Sequence, residues 1–266
     1  MINEYYAGED VIAEHNGSTD FFKLSPSSAA DFFLSSRQWY GQNLLGEPKF
    51  EGSVSTIIGN IVHYFAEQAS LRLKPENPDK LVADFLSTQK VESPAEIQAL
   101  WKDMSNELIK GCIHGHPKPL ATEQFMFHKL LPGIYVGGTT DAIVDLGNGT
   151  VSIRDYKTAS TKPSGISYAY RLQAHIYAFL ATHYLGHKVS QIELQFVTRP
   201  TKTLPCRHFS FTEPFTEENL ATITDQLQLI AESVDFWNKN PDLRYLLAQD
   251  LRLKPQPKKK PLFLKD

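Results

Sequence analysis

The sequence predicts an α/β fold, a mixed β-sheet core flanked by helices and preceded by a helical N-terminal elaboration. Three observations carry that expectation. Hydrophobic spacing is helical up to about residue 115 and strand-like from about residue 120. Pro132-Gly133 and Gly147-Asn148-Gly149 interrupt the strand-like region as turns, which reads as an antiparallel meander. A helical pattern at 166–185 then separates two further apolar runs, and strand, helix, strand at that spacing implies a crossover to a parallel neighbour.

The elements follow in chain order. Residues 1–24 read as irregular or hairpin-like. "LSPSSAADFFLSSRQWYGQNLLG", 24–46, reads as one capped helix with a Ser/Pro start and apolar residues at helical spacing. A second helix is expected at about 54–72, containing "IIGNIVHYFAEQ". More helical pattern fills 78–112, where Pro94 and Glu96 mark a first turn. Strands are expected at 121–130, 134–146 and 150–158, then in "QIELQFVTR" and "CRHFSFT", before an amphipathic helix at about 216–238. One domain is expected over 1–250, with helices at 24–115, the sheet core at 120–212 and a basic tail at 251–266.

Composition narrows the class. With 266 residues and 41% hydrophobic side chains, the chain can bury a substantial core. No run approaches the roughly 18 apolar residues of a membrane helix, and no signal-peptide pattern opens the chain, so a cytoplasmic protein without membrane partners is expected. Cys112 and Cys206 are far apart and lack metal-site spacing, which leaves them as ordinary buried or half-buried thiols. The net charge is −3, but Arg252–Asp266 alone carries +5. Lys258, Lys259 and Lys260 are therefore either nucleic-acid contacts or part of a solvated, proline-broken tail.

The stretch "VSIRDYKTAS" at 151–160 ends an apolar run with Asp155 and Lys157. If Asn148 centres the preceding turn, residues equidistant from it lie opposite each other, which pairs Asp141 with Asp155. Their Cβ atoms would then be about 5 Å apart. Residues two apart on a strand share a face, so Lys157 joins Asp155 one step further along. Opposed carboxylates need compensating cations, and a hard divalent metal is a natural second after Lys157. A surface hairpin with an ordinary Asp–Lys pair, or a slipped register, is the other reading.

Further residues bear on that choice. Gly59, His63 and Glu67 recur at i, i+4 and i+8 along one helix face. Gln173 and Tyr177 lie four apart on the helix that leaves the meander. Their polar ends could meet a phosphate or a metal-bound water, or simply pack in the core.

In order, Gly59-x-x-x-His63, Glu123, Gly138-Thr139-Thr140-Asp141, Asp155-Tyr156-Lys157-Thr158 and Gln173-x-x-x-Tyr177 resemble the motif series of the RecB-like, phage-type exonuclease branch of the PD-(D/E)XK nuclease superfamily. The "LSPSS" start at 24–28 is also similar, and the resemblance spans about residues 24–200. It implies a restriction-endonuclease-like core and metal-dependent hydrolysis of DNA phosphodiesters with Mg²⁺ or Mn²⁺. By the resemblance, Asp141 and Asp155 hold the metal with the main-chain carbonyl of Tyr156, and His63 supports that shell. Lys157 orients the attacking water or neutralises developing charge, and Gln173 and Tyr177 position the scissile strand. Glu123 and Glu67 are additional candidates.

The chain lacks the four cysteines of the iron–sulfur subtype and has no G-x-x-x-x-G-K-[ST] loop. The resemblance therefore implies a stand-alone nuclease or the nuclease partner of a separate helicase or recombinase. Two other classes stay open on sequence. One is a catalytically weak protein of this fold that binds DNA ends or accompanies recombination. The other is a two-carboxylate hydrolase acting on sugars, against which Lys157 counts.

Overall fold

The computed structural model describes residues 2, 8–48, 54–89, 94–244, 246 and 247. Helices α1 (Glu9–Asn16), α2 (Pro26–Leu34), α3 (Ser36–Leu44), α4 (Val54–Ser70), α5 (Pro78–Thr88) and α6 (Pro94–Cys112) precede the meander, with strand β1 (Phe22–Leu24) between the first two. The meander is β2 (Ala121–Leu131), β3 (Ile134–Asp145) and β4 (Val151–Ala159). Then come α7 (Tyr168–Leu185), β5 (Val189–Thr198), β6 (His208–Pro214) and α8 (Glu217–Lys239).

The expected mixed sheet flanked by helices is what forms. The strand order is β1-β3-β4-β5-β6, with β2 also on β3, giving six strands. As the crossover spacing implied, α7 returns the chain so that β5 runs parallel to β4, from Val151↔Val189 to Ala159↔Thr198. On β3, Ile134–Val136 pair with β1 on one edge and with β2 on the other, while Ala142–Asp145 pair with β4.

Side-chain alternation along β4 feeds two apolar layers. Val151 and Ile153 pack with α7 and α8, through Leu180, Leu227 and Ile230 among others. Tyr156 points to the opposite layer, with Ile58 of α4 and Trp101 and Leu108 of α6. Asp155 and Lys157 share the period of Ile153 and lie on the α7 side. Arg154 lies on the α6 side, where its guanidinium donates to Glu193 Oε2 at 2.8 Å and to the Cys112 carbonyl at 2.9 Å.

Three expectations need correction or delimiting. The described part of residues 1–24 is not a hairpin: α1 is a helix with Gly8 and Gly17 in left-handed conformations at its ends, and β1 pairs in parallel with β3. A helix of eight residues is too short to hold itself. It is instead fixed by burial of Ile12 against Phe127 and Tyr135, a long-range contact with no local signature. The single helix expected at 24–46 is two, separated at Ser35 (φ −150°, ψ 55°). Adjacent Ser35 and Ser36 offer the backbone weak helical preference, and the break lets Trp39 pack edge-on against Phe32 at 5.1 Å. The basic tail at 251–266, including Lys258, Lys259 and Lys260, lies outside the described residues.

Cys112 is buried and Cys206 partly so. Burial pushes their thiols up, to about 12 and about 11 respectively, so neither is a ready thiolate. No described helix is long and apolar enough to cross a membrane.

Candidate active site

The β3–β4 ladder runs Asp145↔Val151, Val144↔Ser152, Ile143↔Ile153 and Ala142↔Arg154. Asp141 and Asp155 stand one step beyond its last rung, in the register that a turn centred on Asn148 requires. There the strands separate, and the Tyr156 backbone N–H donates to Asp141 Oδ2 rather than to a strand carbonyl. Both carboxylates are buried, at 7% and 3% exposure, so each needs a partner.

Asp141 finds His63 of α4, whose Nδ1 lies 3.0 Å from Oδ1. Burial alone would push the Asp141 carboxyl up. The charge and hydrogen bond of His63, the charge of Lys157 and the Tyr156 N–H outweigh it and hold Asp141 below the usual range. His63 responds reciprocally, since burial would lower it but Asp141 raises it above the ordinary histidine value.

Asp155 finds Lys157, with Nζ 2.6 Å from Oδ2. Lys157 Nζ also donates to Gln173 Oε1 at 3.0 Å, and Gln173 Nε2 donates to the Tyr177 hydroxyl at 3.4 Å. Burial works against the lysine charge, yet Asp155 and Asp141 together raise its pKa. The charges of those two carboxylates thus favour Lys157 as an ammonium. On Asp155 the balance differs, because burial and the nearby Asp141 charge raise the carboxyl despite Lys157.

Glu123 enters from β2. It sits between the pairs Thr122↔Ala142 and Gln124↔Thr140, hence opposite Asp141. Its φ of 46° is one that a glutamate rarely adopts. Ligating atoms of His63, Glu123 and Asp141 lie within 4.8 Å of one another. Burial, then the charges of Asp141, Glu67 and Asp155, push the Glu123 carboxyl up to about 9. Glu67 is half-buried on α4 and raised by that burial.

These acids outnumber the one ammonium, Lys157, among them, and the Glu123 carboxyl bears the deficit. One imidazole nitrogen beside carboxylate oxygens is a donor set suited to a divalent ion, so the residues present fit one. The three clustered ligands differ from the set expected on sequence, since Glu123 is one of them and Asp155 is instead ion-paired with Lys157. Of Tyr156, the structure shows the N–H bound to Asp141 and the ring buried under α4.

One neighbour went unnoticed in the sequence. The Tyr170 ring lies 5.1 Å from Lys157 Nζ. Tyr170, Gln173 and Tyr177 fall at i, i+3 and i+7 of α7, a spacing that would have identified it.

Comparison with known proteins bears on the family and the fold. The family model of the PD-(D/E)XK nuclease superfamily matches residues 23–258. A candidate exonuclease from Eubacterium rectale shares the fold, with a TM-score of 0.53 and 16% identity over 90% of this chain and 85% of its own. The alkaline exonuclease LHK-Exo from Laribacter hongkongensis aligns at 14% identity over 90% of this chain and 99% of its own, with a TM-score of 0.39. Its complex with dAMP aligns at the same identity and TM-score, over 87% and 94%. No relative among curated proteins matches the chain.

Proposed function

The chain belongs to the PD-(D/E)XK nuclease superfamily, and from that premise we propose that it is a divalent-metal-dependent deoxyribonuclease. The activity is exonucleolytic hydrolysis of DNA phosphodiesters in recombination, repair or phage replication, with Mg²⁺ or Mn²⁺. The observation that carries this reading is the convergence of Asp141, Asp155, Lys157, His63 and Glu123 where β3 and β4 separate.

His63, Glu123, Asp141 and Asp155 would hold the ion, with the Tyr156 carbonyl as a further candidate. Bound there, a divalent ion supplies an acidified water and relief of charge on the phosphoryl oxygens. The protein's own groups do the rest. Lys157, fixed by Asp155 and Gln173, presents a permanent cation where negative charge grows in phosphoryl transfer. Its ion pair with Asp155 and hydrogen bond to Gln173 make it an electrostatic stabiliser and water-orienting donor rather than a general base. Gln173 and Tyr177 form a hydrogen-bonded pair behind the ammonium and position it together with the strand being cut. His63 holds Asp141 ionised and oriented. The Asp141–Tyr156 contact fixes that carboxylate to the backbone of the strand bearing Asp155 and Lys157.

The test is digestion of end-labelled linear and closed-circular DNA, single- and double-stranded, with Mg²⁺, Mn²⁺ or EDTA. Metal-dependent loss of linear DNA, intact circles, and inactive Asp155→Ala and Lys157→Ala variants are expected. Cleavage in EDTA would overturn the metal dependence, and cut circles would make the enzyme an endonuclease. Retained binding to DNA ends without cleavage under any metal would make it a binding protein with a remnant site.

A further inference from the structure

Immediately past Lys157, β4 runs into a concave pocket of about 390 Å³ whose lining includes Thr158, Thr161, Tyr170, Phe196 and Arg199. Its size lies in the range of about 300–1,000 Å³ typical of small-molecule sites. Two of its walls belong to the candidate active site: Thr158 follows Lys157 in the chain, and Tyr170 is the ring lying on Lys157 Nζ.

The chemistry of the lining is divided. One part is aromatic, with Tyr170 edge-on to Phe196 at 5.8 Å between ring centroids. Tyr170 is 36% exposed, so part of that ring is free to be covered. The other part is hydroxyl and cation. Arg199 is held at its backbone by an N–H donated to the Ala159 carbonyl at 2.9 Å. Among the described residues no carboxylate pairs with its guanidinium. Lys162, in the loop after β4, lies 5.3 Å over the Phe209 ring on the strand beside Phe196. In a chain of net negative charge, Arg199 thus lines the opening itself, while Lys157 lies behind its Tyr170 wall and Lys162 falls between Thr161 and Pro163 of its lining. A stackable ring next to an unpaired guanidinium matches a base and a phosphate, the two halves of a nucleotide.

We infer that this pocket is a nucleotide subsite, holding the substrate-strand nucleotide next to the scissile phosphate, with its base against Tyr170 and its phosphate on Arg199 and the Thr158 and Thr161 hydroxyls. The inference deepens the nuclease reading and rests on it. It makes Arg199 and Tyr170 substrate-positioning residues outside the metal cluster, and it sets the path of the strand from Lys157 along the end of β4.

The test compares an end-labelled oligonucleotide with bis(p-nitrophenyl) phosphate, a diester that reaches the centre but carries no neighbouring nucleotide. Arg199→Ala should lower kcat/KM on the oligonucleotide by about tenfold or more, the scale of a charge-assisted hydrogen bond. It should leave cleavage of the small diester within about twofold, and Arg199→Lys should recover part of the loss. An abasic nucleotide beside the cut should cost the wild type about tenfold, the scale of one stacked base, and should cost Tyr170→Ala nothing further. Equal losses on both substrates, or no loss on the oligonucleotide, would overturn the subsite while leaving the nuclease intact. If the wild type cleaves nothing, the nuclease reading fails, and the subsite is then decided by titrating a 2′-deoxynucleoside 5′-monophosphate. Binding weakened by Arg199→Ala retains the subsite; equal binding by both proteins overturns it.

Discussion

Glu123 stands opposite Asp141 on the β2–β3 ladder in a left-handed backbone conformation, and its carboxyl reaches the His63–Asp141 pair. Such a conformation costs a residue with a Cβ roughly 1–2 kcal/mol, and burial among acids adds to that. On the proposed reading, strain and charge crowding at one residue fit a position kept for chemistry rather than stability. Glu123→Asn, which removes the charge and tolerates this backbone, should melt no lower than wild type without metal. Glu123→Gln should melt lower than the asparagine variant because it keeps the strain. Thermal scans in EDTA check this ordering.

Metal should act on the same melting curve from the other side. A ligand present at about 100 times its Kd stabilises the native state by roughly 2.7 kcal/mol. Mg²⁺ or Mn²⁺ should therefore raise the wild-type Tm by several degrees, and both Glu123 variants should lose most of that rise. An equal rise in all three proteins would place the ion elsewhere.

Lys157→Gln should lower kcat about 10²- to 10³-fold, the scale of losing one preorganised electrostatic stabiliser. KM should change much less, because the ammonium acts on charge that develops during the reaction. Steady-state kinetics on the labelled oligonucleotide separate the two parameters, and a loss confined to KM would reassign Lys157 to ground-state binding.

The pair Arg154–Glu193 gives a pH signature away from the reacting groups. Burial would raise the Glu193 carboxyl, but the Arg154 charge and hydrogen bonds from Arg154, Ser152 and Gln195 hold it below its ordinary value. A lowered folded-state pKa adds stability that is full above the unfolded value of about 4.3 and is lost as pH falls through the folded value. Glu193→Gln should cost up to about 3 kcal/mol at pH 7, because it leaves a buried guanidinium without its counter-charge. Its stability should also fall less steeply than that of wild type below about pH 4.3. Urea midpoints between pH 3 and pH 7 measure both effects.

Gly138→Ala tests how closely three elements meet beside the site. A Cβ there would fall 2.7 Å from Pro26 Cδ and 3.2 Å from Tyr177 Cε1. The Pro26 ring is closed onto its own backbone and cannot rotate aside, so a loss of about 1–3 kcal/mol is expected, as for other overpacked positions. A lower Tm in the absence of metal would show it.

Much of this architecture was legible because it is written in local signals. Gly147-Asn148-Gly149 centres a turn, and the turn dictates the register that sets Asp141 against Asp155. The 3.6-residue period of 166–185 placed Gln173 and Tyr177 on one side of α7, where the hydrogen bond between them is found. What escaped depends on distant partners. Ile12 becomes the buried centre of α1 through Phe127 and Tyr135, and β1 becomes a strand only beside Ile134–Val136. The positive φ at Glu123 falls inside the β2–β3 ladder, and no residue type announces it.

Along one edge of β3, β1 ends at Val136 and β4 begins pairing at Ala142, so Gly137–Asp141 lie in a fork between two strands that do not continue each other. At the fork Asp141 takes the Tyr156 N–H that a strand carbonyl would otherwise accept. The carboxylate therefore terminates the zipper as well as facing the reacting groups. Lengthening the outer strands β2 or β6 would leave this opening in place, whereas extending the β3–β4 pairing toward Gly137 would close it with Asp141, Asp155 and Lys157 still present. The opening beside Asp141 depends on where backbone pairing stops.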